Sequence, residues 1–358
     1  MNYLNNYVVI MAGGIGTRFW PFSRTDYPKQ FHDVLGTGKT LLQQTAERFE
    51  GICPKENIYV VTSTEYKDLV TLQLPFLDEN QILLEPSRRN TAPCVAYAAY
   101  KIAARNPEAN LVVAPADHII LKEDVFRERV TVALNASAEG EIIVTLGIHP
   151  SRPDTGYGYI QFDEKNKNGI HKVKVFTEKP ELEWAIKFLE SGEYVWNAGI
   201  FIWNVQTIMK NFQQFQPEMD EIFADGQAFY YTAKESDYIS KAYTQCKNIS
   251  IDFAVMEKAK EVFVVLSDFG WSDLGTWKSL YEVSPKDHSN NVIDGNVILY
   301  DTKDCIVKTP SHRLVAINGL KGFIVAEYDN VLLICKKEDE QKVKDLVADA
   351  KNKGNEFV

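Results

Sequence analysis

The sequence predicts an α/β fold with a mostly parallel, Rossmann-like sheet, followed by a small module of short strands. Three observations carry that expectation. From residue 7 to about 148, short β-branched apolar runs alternate with longer segments of helical period, and such alternation implies parallel strands with helices on both faces. Residues 284–291 (Ser-Pro-Lys-Asp-His-Ser-Asn-Asn) concentrate turn formers and mark a boundary. Beyond them, apolar triplets centred near Ile298, Ile306, Val315, Ile324 and Leu333 recur every eight or nine residues between Gly, Asp, Asn and Pro, the spacing of short strands. The expected division is therefore 1–287 and 288–358.

Element by element, residues 7–12, 58–62, 111–114 and 142–146 are continuous apolar runs, the pattern of strands covered on both faces. Residues 82–84 form a shorter strand, and helices are expected near 40–50, 64–76, 91–106 and 122–138. Ligands of such sheets bind beyond the carboxyl ends of the strands. From about 155 to 285 the pattern is mixed: 157–162 and 172–176 alternate like strands, whereas 181–190 and 234–246 suit helices. The segment 338–353 reads as a polar helix with Val343, Leu346, Val347 and Ala350 on one stripe.

Composition narrows the function. At 358 residues with 45% apolar and 25% charged residues, the chain has an ordinary globular make-up and enough length for a large core. Asp plus Glu total 49 against 39 Lys plus Arg, a net charge of −10, which disfavours attraction to nucleic acid or an anionic membrane. A polyanionic ligand must then meet a local basic cluster or a metal. No apolar run approaches the ~20 residues that span a bilayer. The start, Met1-Asn2-Tyr3-Leu4-Asn5-Asn6, lacks the basic region of a secretory leader. Five cysteines without a C-x-x-C point to a reduced, cytoplasmic protein.

Ala12-Gly13-Gly14-Ile15-Gly16-Thr17-Arg18 directly follows the first strand, where backbone N–H groups freed by glycine can wrap phosphate oxygens. A dinucleotide fingerprint on Gly14 and Gly16 needs a third glycine where Phe19 stands. Gly38-Lys39-Thr40 imitates a P-loop end, but Asp33 replaces its leading glycine. The third reading takes in Trp20-Pro21-Phe22-Ser23-Arg24 and Tyr27-Pro28-Lys29-Gln30-Phe31, with Arg18 and Lys29 as two cations for a triphosphate. Over this whole block the chain resembles the nucleotidyltransferases that make nucleotide sugars, and their mannose-1-phosphate guanylyltransferase branch in particular.

Further motifs extend the resemblance. Pro115-Ala116-Asp117-His118 ends a strand, and a carboxylate beside a triphosphate is repulsive unless a divalent cation such as Mg²⁺ lies between them. The family pairs such an aspartate with one in a segment like Gly270-Trp271-Ser272-Asp273-Leu274-Gly275, so Asp117 and Asp273 are the implied metal ligands. Glu85 precedes the run Arg89-Asn90-Thr91-Ala92-Pro93, which in the family belongs to the nucleotide site. Its carboxylate suits the paired N1–H and N2–H₂ donors of guanine, as backbone groups also would, while Asn90 and Thr91 suit helix capping. On the sugar side the resemblance implies Gly156 for close backbone approach, Glu178 for hydroxyls, Lys179 for the sugar phosphate and Asn197 for further hydroxyl contacts. Ser250 and Asp252, in Ser250-Ile251-Asp252-Phe253-Ala254-Val255-Met256-Glu257, read as caps of a short helix.

The matches run from Ala12 to Trp277, with His32, Thr177, Ala198 and Ile200 as mild departures. The resemblance implies a GT-A-like nucleotidyltransferase core, a left-handed β-helix-like C-terminal module, and no room for the isomerase domain of longer bifunctional relatives. It implies transfer of GMP from GTP to α-D-mannose 1-phosphate, giving GDP-mannose and pyrophosphate, with Mg²⁺. The alternatives are another base or sugar for the same chemistry, or a non-catalytic GDP-mannose-binding paralogue. The module, which carries no catalytic motif, suggests a homodimer.

Overall fold

The computed structural model describes residues 3–358; Met1 and Asn2, which open the N-terminal stretch read above, lie outside the described residues, as does the side chain of Lys167. Compactness divides the chain otherwise than at 287. One unit comprises, among the described residues, 3–13, 45–116 and 120–271, the other 14–44, 117–119 and 272–358.

The first unit is built on nine strands: β1 (Asn6–Met11), β2 (Ile58–Ser63), β3 (Ile82–Glu85), β4 (Asn110–Pro115), β5 (Ile143–Ile148), β6 (Tyr159–Lys167), β7 (Ile170–Thr177), β8 (Tyr194–Asn204) and β9 (Val262–Ser267). They form one sheet in the order β3-β2-β1-β4-β8-β5-β9-β7-β6. The expected parallel block is present, since β1 pairs parallel with β2 and β4, β2 with β3, and β5 with β9. Between β4 and β5 runs β8, antiparallel to both. Buried Val9, Val61, Leu83, Leu111 and Val113 pack with the helix Thr91–Ala103, nearly all of whose side chains are buried.

Most expected elements are in place, with boundary shifts of a few residues. The strand expected at 157 starts at Tyr159, because the residues before it form a turn in which Gly156 N donates to Asp154 Oδ1 at 2.8 Å. Four elements of this unit that the sequence left unassigned are β8, β9 and the helices Val205–Phe215 and Pro217–Ala224.

In the second unit β10 (Val292–Asp294), β12 (Ile306–Lys308) and β14 (Phe323–Tyr328) stack in parallel, as do β11 (Asn296–Tyr300) and β13 (Leu314–Asn318). This is the two-sided winding of a β-helix, closed by β15 (Val331–Lys336), which runs antiparallel to β14. Asn291, 1% exposed, staples the entry: its amide donates to Thr302 O (2.9 Å) and its carbonyl accepts from Cys305 N (3.0 Å). The core joins Val292, Ile306, Ile324 and Leu333 to Phe19, Trp20, Leu41 and Trp277, the last in a helix, Trp277–Val283, that the sequence did not announce. Phe19 and Trp277 stack with centroids 4.5 Å apart. The terminal helix is shorter than expected, Val343–Lys353 after a 3-10 segment, and Leu346 is 39% exposed, outside the stripe that buries Val343.

Arg24 is buried among carbonyls. Its guanidinium donates to Tyr328 O (2.9 Å), Asn330 Oδ1 (2.8 Å) and Glu356 O (3.0 Å), while Trp20 Nε1 donates to Phe357 O at 2.7 Å. Residues 20–24 are thereby fastened to the far end of the sequence. Among the described residues, no helix is long and apolar enough to cross a membrane.

Candidate functional site

The phosphate-side residues lie in the second unit. Gly16 has φ +67° and starts the 3-10 turn Thr17–Phe19. A Cβ there would sit 3.2 Å from the Lys29 side chain and 3.3 Å from Ser23 Oγ, so the position needs glycine for both conformation and space. Ser23 Oγ donates to Ile15 O and accepts from Lys29 N at 3.0 Å, and Gln30 Nε2 donates to Gly14 O at 3.0 Å. The glycine loop is thus tied to the segment that follows it. Gly14, Thr17 and Arg18 are exposed, and Arg18 pairs with no acidic side chain among the described residues.

Lys29 is arranged differently from the sequence expectation of a phosphate grip. It is 5% exposed, and its ammonium donates to Asp117 Oδ2 (2.9 Å), Asp273 O (3.0 Å) and Leu274 O (2.9 Å). Three protons meet three acceptors, so Lys29 braces the two aspartate segments against each other. Burial by itself would raise the Asp117 pKa; Lys29 and His118 outweigh it and hold the carboxyl below its usual range. His118 Nε2 is 4.0 Å from Asp117 Oδ1. Asp273 Oδ1 accepts from Gly275 N at 3.0 Å, which fixes its direction. His32 is packed between Tyr27 and Tyr328, and burial pushes its pKa down to about 4, marking a core ring.

The base- and sugar-side residues lie in the first unit. Ala12 extends the end of β1, its N–H donating to Val61 O (2.8 Å) and its carbonyl accepting from Thr62 Oγ1 (3.0 Å). A Cβ on Gly13 would stand 3.0 Å from Glu85 Oε2, so a glycine brings the backbone up to that carboxylate. Glu85, at the end of β3, is 7% exposed and accepts from Tyr243 OH at 3.0 Å; burial pushes its pKa up to about 7. Asn90 caps the helix through Thr91 N (2.9 Å), and Thr91 Oγ1 accepts from Ile251 N (2.8 Å). Asn90 caps the helix as expected, whereas Thr91 is its first residue and spends its hydroxyl on the distant Ile251 segment instead.

On the sugar side the structure brings Glu178 and Asn197 together but not Gly156, which lies exposed in its turn. The close approach belongs to Gly158, where a Cβ would stand 2.5 Å from Glu178 Oε2 and 3.4 Å from Asn197 Cβ. Lys179, exposed and at φ +46°, pairs with Glu178 Oε1. An irregularity in the β5–β8 pairing sets Asn197 opposite Gly147 and Phe201 opposite Thr145, a bulge that re-aims Asn197. Its carbonyl accepts from Thr145 Oγ1 (3.0 Å) and Gly199 N (3.1 Å), and its amide donates to Asp252 Oδ1 (3.1 Å). Asp252 is therefore no cap. Ser250 alone fills that role, accepting from Phe253 N at 3.4 Å. No local signal could have announced Asp252's place, because the fold alone brings residues 197 and 252 together.

A nucleotidyl transferase family model matches residues 7–290, and a mannose-phosphate isomerase/GMP-like β-helix domain model matches 295–349. A Klebsiella pneumoniae mannose-1-phosphate guanylyltransferase is 38% identical over 347 residues, covering 95% of this chain and 72% of that protein. The chain belongs to the mannose-1-phosphate guanylyltransferase family. An Escherichia coli family member is likewise 38% identical over 347 residues, with the same coverage of 95% and 72%. A Thermus thermophilus crystal structure, described as a mannose-1-phosphate geranyltransferase, superposes with a TM-score of 0.89 at 32% identity over 97% of this chain and 100% of that one. The family's α/β core and β-helix module are thus the architecture seen here.

Proposed function

We propose that the protein transfers GMP from GTP to α-D-mannose 1-phosphate, releasing pyrophosphate and GDP-mannose, with 1–287 as the catalytic region and 288–358 as the β-helix module. The observation that carries this reading is the meeting of the Asp117 and Asp273 segments at one ammonium, Lys29, inside the region matched by the nucleotidyl transferase model. Two aspartates are a donor set for Mg²⁺, which takes one or two carboxylates and completes its shell with phosphates and water. Among the described residues there is no group of three or more His, Cys, Asp or Glu side chains suited to a metal. Asp117 and Asp273 would hold the ion, which would supply positive charge to offset the phosphates.

The chain's own residues do the rest. An oxygen of the sugar phosphate attacks the α-phosphorus in line as pyrophosphate leaves, so no protein nucleophile or base is required. Exposed Arg18, carried on the glycine loop, meets the charge that grows toward the leaving group. Lys29 keeps Asp117 ionised and aimed, Lys179 offsets the sugar phosphate, and Glu178 and Asn197 face the sugar. Ala12, Gly13, Glu85, Asn90 and Thr91 serve the base end, with Glu85 accepting the paired guanine N–H donors.

Exposed Ile298, Tyr300, Leu314, Leu332 and Ile334 on the β-helix support a homodimer through that module. Five free cysteines support a reduced, cytoplasmic setting, and the acidic balance supports the absence of nucleic-acid and membrane partners. The test is pyrophosphate release over a matrix of GTP, ATP, UTP and dTTP against mannose, glucose and galactose 1-phosphates with Mg²⁺. Turnover confined to GTP with mannose 1-phosphate is expected; equal turnover with another base or sugar would overturn the assignment. A monomer by light scattering at micromolar concentration would count against the dimer.

A further inference from the structure

Two carboxylates, Glu178 and Asp252, lie close enough in the first unit to feel each other's charge, and beyond Asp252's own backbone N–H each has few side-chain donors. Glu178 has one oxygen on Lys179 and the other against the bare backbone of Gly158. Asp252 takes one hydrogen bond from a side chain, Asn197 Nδ2 at 3.1 Å, and the described residues supply no second side-chain donor to it. Burial, then the negative charge of Glu178, push its pKa up to about 6. Lys179, 60% exposed at its side chain, is a weak counter-ion for two such groups.

Packing needs do not account for Asp252. Ser250 already caps the turn, and the following residues Ala254, Val255 and Met256 carry the buried contacts. Asparagine would accept the same bond from Asn197 without the cost of a half-buried charge. Yet the surroundings hold the carboxylate with care. Asn197 has its carbonyl fixed by two donors, so its amide can point only one way, toward Asp252. Asp252 is also partly exposed.

We propose that Asp252 is a substrate-binding residue for the sugar, accepting a hydroxyl hydrogen of the hexose beside Glu178, and that it sets which hexose 1-phosphate is accepted. This rests on the assignment of Glu178 and Asn197 to the sugar. A polyol is the ligand that suits such a pair, because each hydroxyl brings a donor to an oxygen that lacks one and adds no charge. Two acceptors fixed relative to each other favour one stereochemistry of neighbouring hydroxyls over its epimers. An epimer leaves a buried acceptor unpaired, which is the costly outcome.

The test uses full-length Asp252→Asn and Asp252→Ala proteins and compares the affinities of GDP-mannose and GDP by calorimetry. In the wild type the mannosyl group adds affinity over GDP. Both variants should lose about tenfold or more of that increment, the value of one hydrogen bond to a charged group, while the GDP affinity stays within twofold. In turnover, KM for mannose 1-phosphate should rise about tenfold, KM for GTP should hold, and preference over glucose 1-phosphate should shrink. The Asp252→Asn melting temperature at pH 7 should equal or exceed that of the wild type. An unchanged GDP-mannose increment, or equal losses for GDP and GDP-mannose, would overturn the proposal. Should the wild type prefer another hexose, the same comparison with that sugar's nucleotide still tests Asp252; a wild type that gains nothing from any hexose would overturn the sugar-side assignment itself.

Discussion

Lys29 and Arg18 carry the same charge to opposite ends. Arg18 stands in solvent on the glycine loop, so Arg18→Ala should leave the melting temperature unchanged and lower kcat about 10²-fold, as for loss of one transition-state donor; steady-state kinetics that left kcat unaltered would remove it from the chemistry. Lys29→Met strands a carboxylate instead. With Asp117 28% exposed at its side chain, the loss should be about 2–3 kcal/mol of stability together with nearly all activity, read by calorimetry and turnover. Their residue types and spacing announced both cations, but the sequence could not say which one the fold would bury. Glu85 makes a pH prediction. Its raised pKa means that the free protein holds a proton there below about pH 7, whereas guanine's two N–H donors need the ionised form. GTP affinity should therefore fall as the pH drops from 7.5 to 6, by up to tenfold per unit below the pKa, and binding near pH 6.5 should release a proton. Calorimetry in two buffers of different ionisation enthalpy reads that proton, and Glu85→Gln should abolish it.

Among the elements, β1, β2, β4 and β5 were legible because strands covered on both faces read as unbroken apolar runs. Strand β8 was not. Its sequence, Tyr-Val-Trp-Asn-Ala-Gly-Ile-Phe-Ile-Trp-Asn, interrupts the alternation with a polar residue and a positive-φ glycine, Gly199, where the bulge lies. The two glycines of Thr155-Gly156-Tyr157-Gly158-Tyr159 are equivalent on paper, and only the pairing of Tyr159 with Trp196 shows which one faces Glu178. Gly147 on β5 is a sharper case. A Cβ there would meet Val195 Cγ2 and Val264 Cγ2, each at 2.6 Å, from the two neighbouring strands. Gly147→Ala should overpack the sheet by about 1–3 kcal/mol and lower the melting temperature by several degrees, as calorimetry would record. A melting temperature equal to the wild type would mean that the strands yield.

At the scale of the molecule, the compact units do not follow the chain. The glycine loop and the segment to Gln44 join residues 272–358, while the intervening strands build the other unit. Local pattern cannot reveal this, since it rests on contacts such as Trp20 to Phe357, 337 positions apart. Arg24 is the test. Arg24→Ala removes the guanidinium from the carbonyls of Tyr328 and Glu356, leaving the latter only Asn330 Nδ2 (3.1 Å), so the second unit should unfold at lower temperature than the first and kcat should fall without a change in which sugar is chosen. A single unshifted transition would show the clasp to be dispensable.

That clasp also bears on how the protein is made. At ~5–20 residues per second, roughly tens of seconds separate synthesis of Trp20 from that of its acceptor 337 positions later. For most of that interval, until residues 274–343 are made, Phe19, Trp20 and Leu41 lack most of the core they are destined for. The nascent chain therefore trails a sticky, unclosed N-terminal segment while its sheet is already forming. Ribosome-bound chains stalled before residue 290 should capture a holdase chaperone through residues 14–44, and the catalytic loop should set only in the last moments of translation.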